Sequence, residues 1–111
     1  MLLQPQVLID PFERWALYFF GPITQASKGK NYILVCTDYV TKWIEAKALP
    51  RATKQVVVDF LYEDIFTRFD APRQILTDQG TQFTSKLIQS LMQWFKIKHK
   101  FFASYHPQAN G

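Results

Sequence analysis

The residues best placed to do chemistry in this sequence lie around Asp78. A short apolar run at residues 75–77 stops at this acid, the Gln79-Gly80 pair turns the backbone, and a helical pattern begins at Ser85. Loops at strand ends are exposed while the sheet holds them rigid, so a carboxylate there is well placed to bind a metal ion or a ligand. An ordinary acid of a glycine-containing turn shows the same pattern. The stretch alone leaves both interpretations open.

A second group of candidates is basic. The formal net charge is +4, and no acidic residue follows Asp78, whereas Lys96, Lys98 and Lys100 lie close together in that part of the chain. These lysines could contact nucleic-acid phosphates, which would fix position without reading sequence. An edge strand that lysines protect from aggregation explains them equally well.

Other kinds of site are excluded by the counts. Cys36 is the only cysteine and lies in an apolar run, which predicts a buried side chain and rules out an intrachain disulfide or a cysteine metal cluster. His99 and His106 have no further His or Cys at zinc-ligand spacing. No apolar run approaches the roughly 20 residues that span a bilayer, and the N-terminus lacks a signal-peptide pattern. We therefore expect a soluble intracellular protein without a membrane partner.

The elements that must position these residues begin with three strand patterns, after a lead-in at residues 1–11. The first covers residues 14–20 and is closed by Gly21-Pro22, the second covers 32–39, and the third covers 42–49. A polar loop at 25–31 separates the first two. Together they predict an antiparallel meander.

Two helices and two strands follow. Thr53 is a plausible N-cap for a helix that Asp70-Ala71-Pro72 ends, a strand returns at residues 73–77, a second helix begins at Ser85, and residues 98–102 form a short basic edge strand. The 111 residues, 48% of them hydrophobic and 16% aromatic, suit one packed domain. The order of elements predicts an α/β fold with a mixed five-stranded sheet and helices packed on it.

Several short phrases stand out along the chain. They are Trp15-Ala16-Leu17-Tyr18-Phe19-Phe20-Gly21-Pro22, Tyr32-Ile33-Leu34-Val35, Asp38-Tyr39, Thr41-Lys42-Trp43, Thr77-Asp78-Gln79-Gly80 and Tyr105-His106-Pro107-Gln108-Ala109-Asn110-Gly111. Together they resemble the integrase catalytic core of gypsy-class long-terminal-repeat retrotransposons, a family related to retroviral integrases. The resemblance covers roughly residues 12–111. It implies a ribonuclease H-like fold over a single partial domain at 1–111, with C-terminal helices truncated and apolar sheet surface left uncovered.

The resemblance also implies a metal site. The family joins DNA ends to a target strand with two divalent ions, normally Mg²⁺, held by two Asp and one Glu. Asp78 matches the second Asp and is the expected metal ligand. Tyr18 stands where the family has the first Asp, and the Glu would fall at position 114, beyond Gly111. Neither Asp38, interpreted as a structural or turn acid, nor Glu45, on a solvated strand face, replaces the missing ligands.

The function implied by the resemblance is DNA integration. The segment with Tyr105, His106, Gln108 and Asn110 matches the family's loop beside the active site, which touches DNA, although surface residues without a role are the alternative. DNA is the expected partner, and the family's cores dimerise. We interpret the chain as a catalytically inactive integrase fragment that retains nucleic-acid binding, located inside the cell with the nucleus as one option. Part of a longer active polyprotein and a host-adopted nucleic-acid or protein binding module remain open alternatives.

Overall fold

Five strands form one mixed sheet in the computed structural model, which describes residues 10–25 and 29–102. Their order in the sheet is β3-β2-β1-β4-β5, with β1 antiparallel to β2, β2 antiparallel to β3, and β4 parallel to both β1 and β5. This confirms the predicted meander and the mixed five-stranded sheet. The strands are β1 Arg14–Gln25, β2 Gly29–Asp38, β3 Ile44–Leu49, β4 Gln74–Thr77 and β5 Lys98–Phe101.

The helical segments are α1 Lys54–Phe60, a π-helical stretch Leu61–Phe66, α2 Thr67–Phe69, α3 Thr81–Thr84 and α4 Lys86–Trp94. The predicted N-cap at Thr53 is confirmed, because Thr53 Oγ1 accepts from Val56 N at 3.3 Å. The second helix begins next to Ser85 as predicted, and Ser85 Oγ accepts from Ile88 N at 3.3 Å as its N-cap. The sequence analysis missed α3, which begins directly after Gly80. No helix in the described part of the chain is long and apolar enough to cross a membrane.

The predicted end of β1 at Gly21-Pro22 is wrong. The strand continues to Gln25, with a register shift between Phe20 and Ile23. Proline lacks a donor, but a bulge leaves a residue unpaired and so tolerates it. Gly21 has φ 122°, and a Cβ there would lie 3.0 Å from the carbonyl oxygen of Asn31, so this bulge requires glycine.

Two further boundaries differ from the prediction. The predicted loop at 25–31 is shorter, because Gln25 belongs to β1 and residues 29–31 to β2, while 26–28 lie outside the described residues. The third strand begins at Ile44 rather than residue 42, and four of its six residues are exposed instead of alternating. An edge position explains this exposure, since β3 has a neighbour on one side only.

The hydrophobic core lies on one face of the sheet. Strand pairing places Trp15 opposite Asp38 and Leu17 opposite Cys36, so these side chains share a face, and all four are fully buried. Each large apolar side chain buried in this way contributes roughly 1.5–3 kcal/mol relative to exposure. The helical residues that pack into the same core are Val57, Phe60, Leu61, Ile65, Phe66, Phe83, Ile88, Leu91 and Met92.

The opposite face, here called the open face, carries the alternate residues of the same strands. On β1 these are Arg14, Ala16, Tyr18 and Phe20, and on β4 Leu76. Tyr18 is 37% exposed and Phe20 57% exposed. Every helix that contributes to the core lies on the other side, so within residues 10–25 and 29–102 this apolar sheet surface is uncovered, as expected.

Asp38 is a structural acid. Its side chain is fully buried at the end of β2, and its carboxylate accepts from Phe12 N at 2.8 Å, Thr41 N at 2.7 Å and Thr41 Oγ1 at 2.8 Å. These bonds join the segment before β1 to the turn between β2 and β3. Because Asp38 shares the core face with Trp15, it points away from the open face and does not replace a ligand beside Tyr18.

Glu45 also forms contacts within the chain, although not those that were predicted. Instead of meeting solvent on β3, its side chain is only 15% exposed and accepts from Arg68 Nη1 at 2.7 Å. The indole N–H of Trp43 donates to its other oxygen. Glu45 therefore ties the edge strand to α2.

We predict that Asp38→Ala lowers the free energy of unfolding by about 3 kcal/mol, because it leaves buried donors unsatisfied at about 1–3 kcal/mol each. Urea unfolding followed by circular dichroism measures this difference. Asp59→Ala is the matched control, since Asp59 is an exposed acid on α1 bonded only to Gln55. An Asp38→Ala protein as stable as the control would contradict the structural role.

Candidate functional site

Asp78 lies directly after β4, and its side chain is exposed. Its Oδ1 accepts from the backbone N–H of Gly80 at 2.7 Å, which makes the loop an Asx turn. A Cβ on residue 80 would stand 2.9 Å from that oxygen, so glycine leaves the carboxylate its space. Oδ2 accepts no hydrogen bond from the described residues. The two interpretations of Asp78 are thus compatible, because one oxygen shapes the turn while the other stays available to a ligand.

The sheet brings Tyr18 beside Asp78. Strands β1 and β4 pair in parallel with Arg14 opposite Gln74 and Ala16 opposite Leu76. Continuing this register by two residues sets Tyr18 opposite Asp78, on neighbouring strands that lie about 4.8 Å apart. Both side chains then project on the open face. The pairing therefore brings together the two positions that the resemblance assigns to the first two carboxylates.

These two side chains do not fit a site for two Mg²⁺ ions. Mg²⁺ requires hard, preferably anionic oxygen ligands, and a neutral phenol beside one carboxylate supplies too little negative charge. Across the described ranges, no three His, Cys, Asp or Glu side chains form a group that could hold a metal ion. The residues described here therefore support no metal-dependent step.

A hydrogen-bonded pair, the buried Thr77 and the half-buried His99, supports the Asp78 turn. Thr77 is fully buried, and its hydroxyl lies 2.8 Å from both the carbonyl oxygen of Asp78 and Nε2 of His99. A hydroxyl has one proton, so when it donates to the Asp78 carbonyl it accepts from His99 Nε2–H. His99 thereby holds the Thr77 hydroxyl in the orientation that fixes the Asp78 peptide.

Burial lowers the pKa of His99 from its ordinary value of 6.5, because the charged imidazolium loses solvation between Thr77 and the Phe101 ring. The sequence analysis assigned neither Thr77 nor His99 a role at the site. The only feature of the sequence that could indicate this role is that Thr77 and His99 lie on strands that end near Asp78. That feature identifies them as hydrogen-bond partners only once the register of β4 and β5 is known.

The residues predicted to contact DNA divide into three groups. Lys98 and Lys100 are exposed and pair with Gln74 and Leu76, so they project on the open face four and two residues before Asp78 along β4. Lys96 lies in the turn between α4 and β5 with φ 58°, off the sheet face. The predicted DNA-contacting residues Tyr105, His106, Gln108 and Asn110 lie outside the described residues.

Comparison with known proteins identifies the family and the fold of this chain. The sequence matches the family "Integrase core domain" over residues 9–107. It is 39% identical over 101 residues to the Gag-Pol polyprotein of avian reticuloendotheliosis virus, covering 91% of this chain and 9% of that protein. The Pol polyprotein of radiation murine leukemia virus is 36% identical over 101 residues, with 91% and 17% covered.

Two further matches extend this comparison. An uncharacterized protein of Caenorhabditis elegans is 38% identical over 101 residues, with 91% of this chain and 8% of that protein covered. A chain of the simian T-cell lymphotropic virus intasome superimposes with a TM-score of 0.76 at 19% identity, covering 89% of this chain and 34% of that chain. The first three relatives are thus spanned only in small part, and the intasome chain supports the ribonuclease H-like fold.

We predict a pH dependence of stability that belongs to His99. Since the pKa of folded His99 lies below that of the unfolded chain, its contribution is fully present above about pH 6.5 and is lost as the pH falls toward the folded-state pKa. Urea unfolding between pH 5 and 8 should therefore show wild type losing stability relative to His99→Gln below pH 6.5. Parallel curves for the two proteins would contradict this assignment.

Proposed function

The chain belongs to the integrase core domain family, whose role is DNA integration, and from this premise we propose that it is a DNA-binding integrase core segment without a complete catalytic metal site of its own. The observation that carries the proposal is the parallel pairing of β1 with β4, whose register, continued by two residues, sets Tyr18 opposite Asp78. One position of the acidic pair is kept and the other is a phenol.

The loss of catalysis follows from charge. Members of the integrase core family depend on a divalent metal ion, and we propose that this ion is Mg²⁺ in the relatives of this chain. Such an ion would activate the nucleophile and stabilise the leaving oxygen. Asp78 offers one free carboxylate oxygen for such an ion. Tyr18 cannot bridge two cations as a carboxylate does, because its oxygen is neutral and already carries a proton. We infer that the chain performs neither end trimming nor strand transfer.

The proposed DNA binding rests on the charges next to Asp78. Lys98 and Lys100 are exposed on the open face, and neither is within ion-pair distance of a described acid. No acidic residue follows Asp78 in the sequence to offset them. Phosphates that bind there would release counterions, which makes the affinity depend on salt.

The finer classification is part of the same proposal. The phrases quoted above support a gypsy-class retrotransposon origin, and the retroviral and nematode relatives are compatible with it. We further propose that the core self-associates and acts inside the cell, with the nucleus as the site where it would meet DNA. The exposed edge strand β3, with Ile44 59% and nearby Trp43 49% exposed, offers apolar surface for association.

A longer active integrase that contains this chain is the second candidate. The relatives are proteins of which this chain spans 8–17%. In such a protein a Glu at position 114 would add a carboxylate, and Tyr18 would be a tolerated change. Mg²⁺- or Mn²⁺-dependent nicking of DNA by the wild-type chain, abolished in Asp78→Ala, would favour this candidate over the inactive segment.

Tight binding of a protein partner without DNA affinity would favour the host-adopted binding module.

We predict that Lys98→Gln/Lys100→Gln weakens DNA binding about tenfold and lowers the slope of log affinity against log salt by about 2, because two phosphate contacts are lost. Fluorescence anisotropy with a labelled duplex of mixed sequence measures both quantities. The matched control is Lys54→Gln/Lys86→Gln, which removes two exposed lysines on the helical side. Equal effects of the two double variants would contradict a DNA surface on the open face.

We predict that Tyr18→Asp increases Mn²⁺ affinity about tenfold, because it places a second carboxylate next to Asp78. Water-proton relaxation measures Mn²⁺ binding without requiring catalysis. Phe20→Asp is the matched control, since it adds the same charge on the same face two residues farther along β1. The gain should disappear in Tyr18→Asp/Asp78→Asn, and a gain that survives this change would show that the ion binds elsewhere.

A further inference from the structure

Two cationic side chains converge on one aromatic ring at the end of the sheet away from Asp78. The guanidinium carbon of Arg14 lies 5.5 Å, and the Nζ of Lys42 5.6 Å, from the centre of the Tyr39 ring. Backbone bonds hold the three residues in place, because Tyr39 N donates to Arg14 O and Lys42 N donates to Asp38 O, each at 2.9 Å. The two cations therefore stand at most about 11 Å apart, and Tyr39, the residue they share, is 36% exposed.

No acid in the described structure neutralises these cations. All nine Asp and Glu residues of the sequence lie within the described ranges, and none is within 4.0 Å of the charged nitrogens of Arg14 or Lys42. Asp38 is the neighbouring acid, but it is fully buried and accepts three bonds from Phe12 and Thr41. The Asp38 carboxylate therefore binds donors of Phe12 and Thr41 and does not form an ion pair with Arg14 or Lys42.

Arg14 also carries a donor that nothing in the described structure uses. Its Nε is buried and has no hydrogen-bond partner. A buried donor without an acceptor costs about 1–3 kcal/mol, and an acceptor brought close to this guanidinium would offset that cost. An anion bound beside Arg14 would also be attracted by Lys42, because both cations lie within 5.6 Å of the same ring centre.

The strand register connects this cluster to the lysines beside Asp78. Arg14 pairs with Gln74 and Gln74 pairs with Lys98, so the three side chains form one row across the open face. Arg14 and Lys98 are two strands apart, or about 10 Å. With Lys42 at one end, this row of cations is long enough to contact several successive phosphates of a nucleic-acid strand. A ligand with a single carboxylate would contact only one of these cations.

We propose that Arg14, Tyr39 and Lys42 form a second binding site for the phosphodiester backbone of a nucleic acid, separate from the Tyr18–Asp78 site. The site lies four residues away from Tyr18 along β1, or about 13 Å. The cations bind phosphates, and the exposed rings of Tyr39 and nearby Trp43 offer faces on which an unpaired base stacks. The inference rests on the proposed DNA binding and extends its surface to the turn between β2 and β3.

The test uses Arg14→Gln/Lys42→Asn in the anisotropy assay with the same labelled duplex. Asn is chosen at residue 42 because the backbone there has φ 66°, which Asn tolerates well. The double variant should weaken binding about tenfold and lower the salt slope by about 2, while Lys42→Asn alone, which leaves Arg14 in place, should lower it by about 1. Tyr39→Leu should weaken binding of single-stranded DNA more than binding of the duplex.

The controls separate this inference from the proposed function. If Lys98→Gln/Lys100→Gln weakens binding but Arg14→Gln/Lys42→Asn matches Lys54→Gln/Lys86→Gln, the second site is wrong and the DNA-binding function stands. If wild type does not bind DNA at low salt, both are overturned. Binding to phosphatidylserine vesicles that depends on Arg14 and Lys42, with DNA affinity unchanged in the same variant, would assign the cluster to a membrane surface instead. Equal melting temperatures confirm that a variant is folded before its affinity is compared.

Discussion

The parallel pairing of β1 with β4 is the constraint on which the rest of this structure depends. Side chains alternate between the two faces of a sheet, so the register of this pair determines which side chains of both strands face the core. With Trp15 opposite Ile75, both side chains enter the core, and the same register continued by two residues sets Tyr18 and Asp78 together on the open face. A slip of one residue would bury Asp78 and expose Ile75. Core packing against the helices therefore selects the same register that assembles the candidate site.

The two faces of the sheet carry different chemistry because of that alternation. The helical face is dry and apolar, and its polar groups are satisfied internally, as Asp38 and Thr77 show. The open face combines apolar side chains with Arg14, Lys98 and Lys100, and its one acid near Tyr18 is Asp78. This distribution suits contact with a polyanion better than it suits cation binding. The phenol of Tyr18 is consistent with that bias, because a phenol adds no carboxylate to this face.

The turn between β2 and β3 has two functions in this view. Asp38 fastens it to the segment before β1 from the inside, while Tyr39 and Lys42 meet Arg14 on the outside. A buried acid that is fully bonded to backbone and hydroxyl donors does not neutralise neighbouring cations by contact. The same few residues can therefore stabilise the turn and leave positive charge available at the surface.

Much of this could be predicted from the sequence, because local signals carry it. Apolar runs and caps predicted the five strands and the helix starts at Thr53 and Ser85, and several short phrases along the chain together indicated the integrase core family. Strand pairing is different, since it depends on contacts between distant residues that no local pattern records. Only the tertiary structure could show that β1 runs through Gly21-Pro22, that Glu45 is bound by Arg68, and that Thr77 meets His99. The convergence of Arg14 and Lys42 on Tyr39 was equally beyond the sequence, because it depends on how side chains from the beginning of β1 and the turn after β2 are oriented at one end of the sheet.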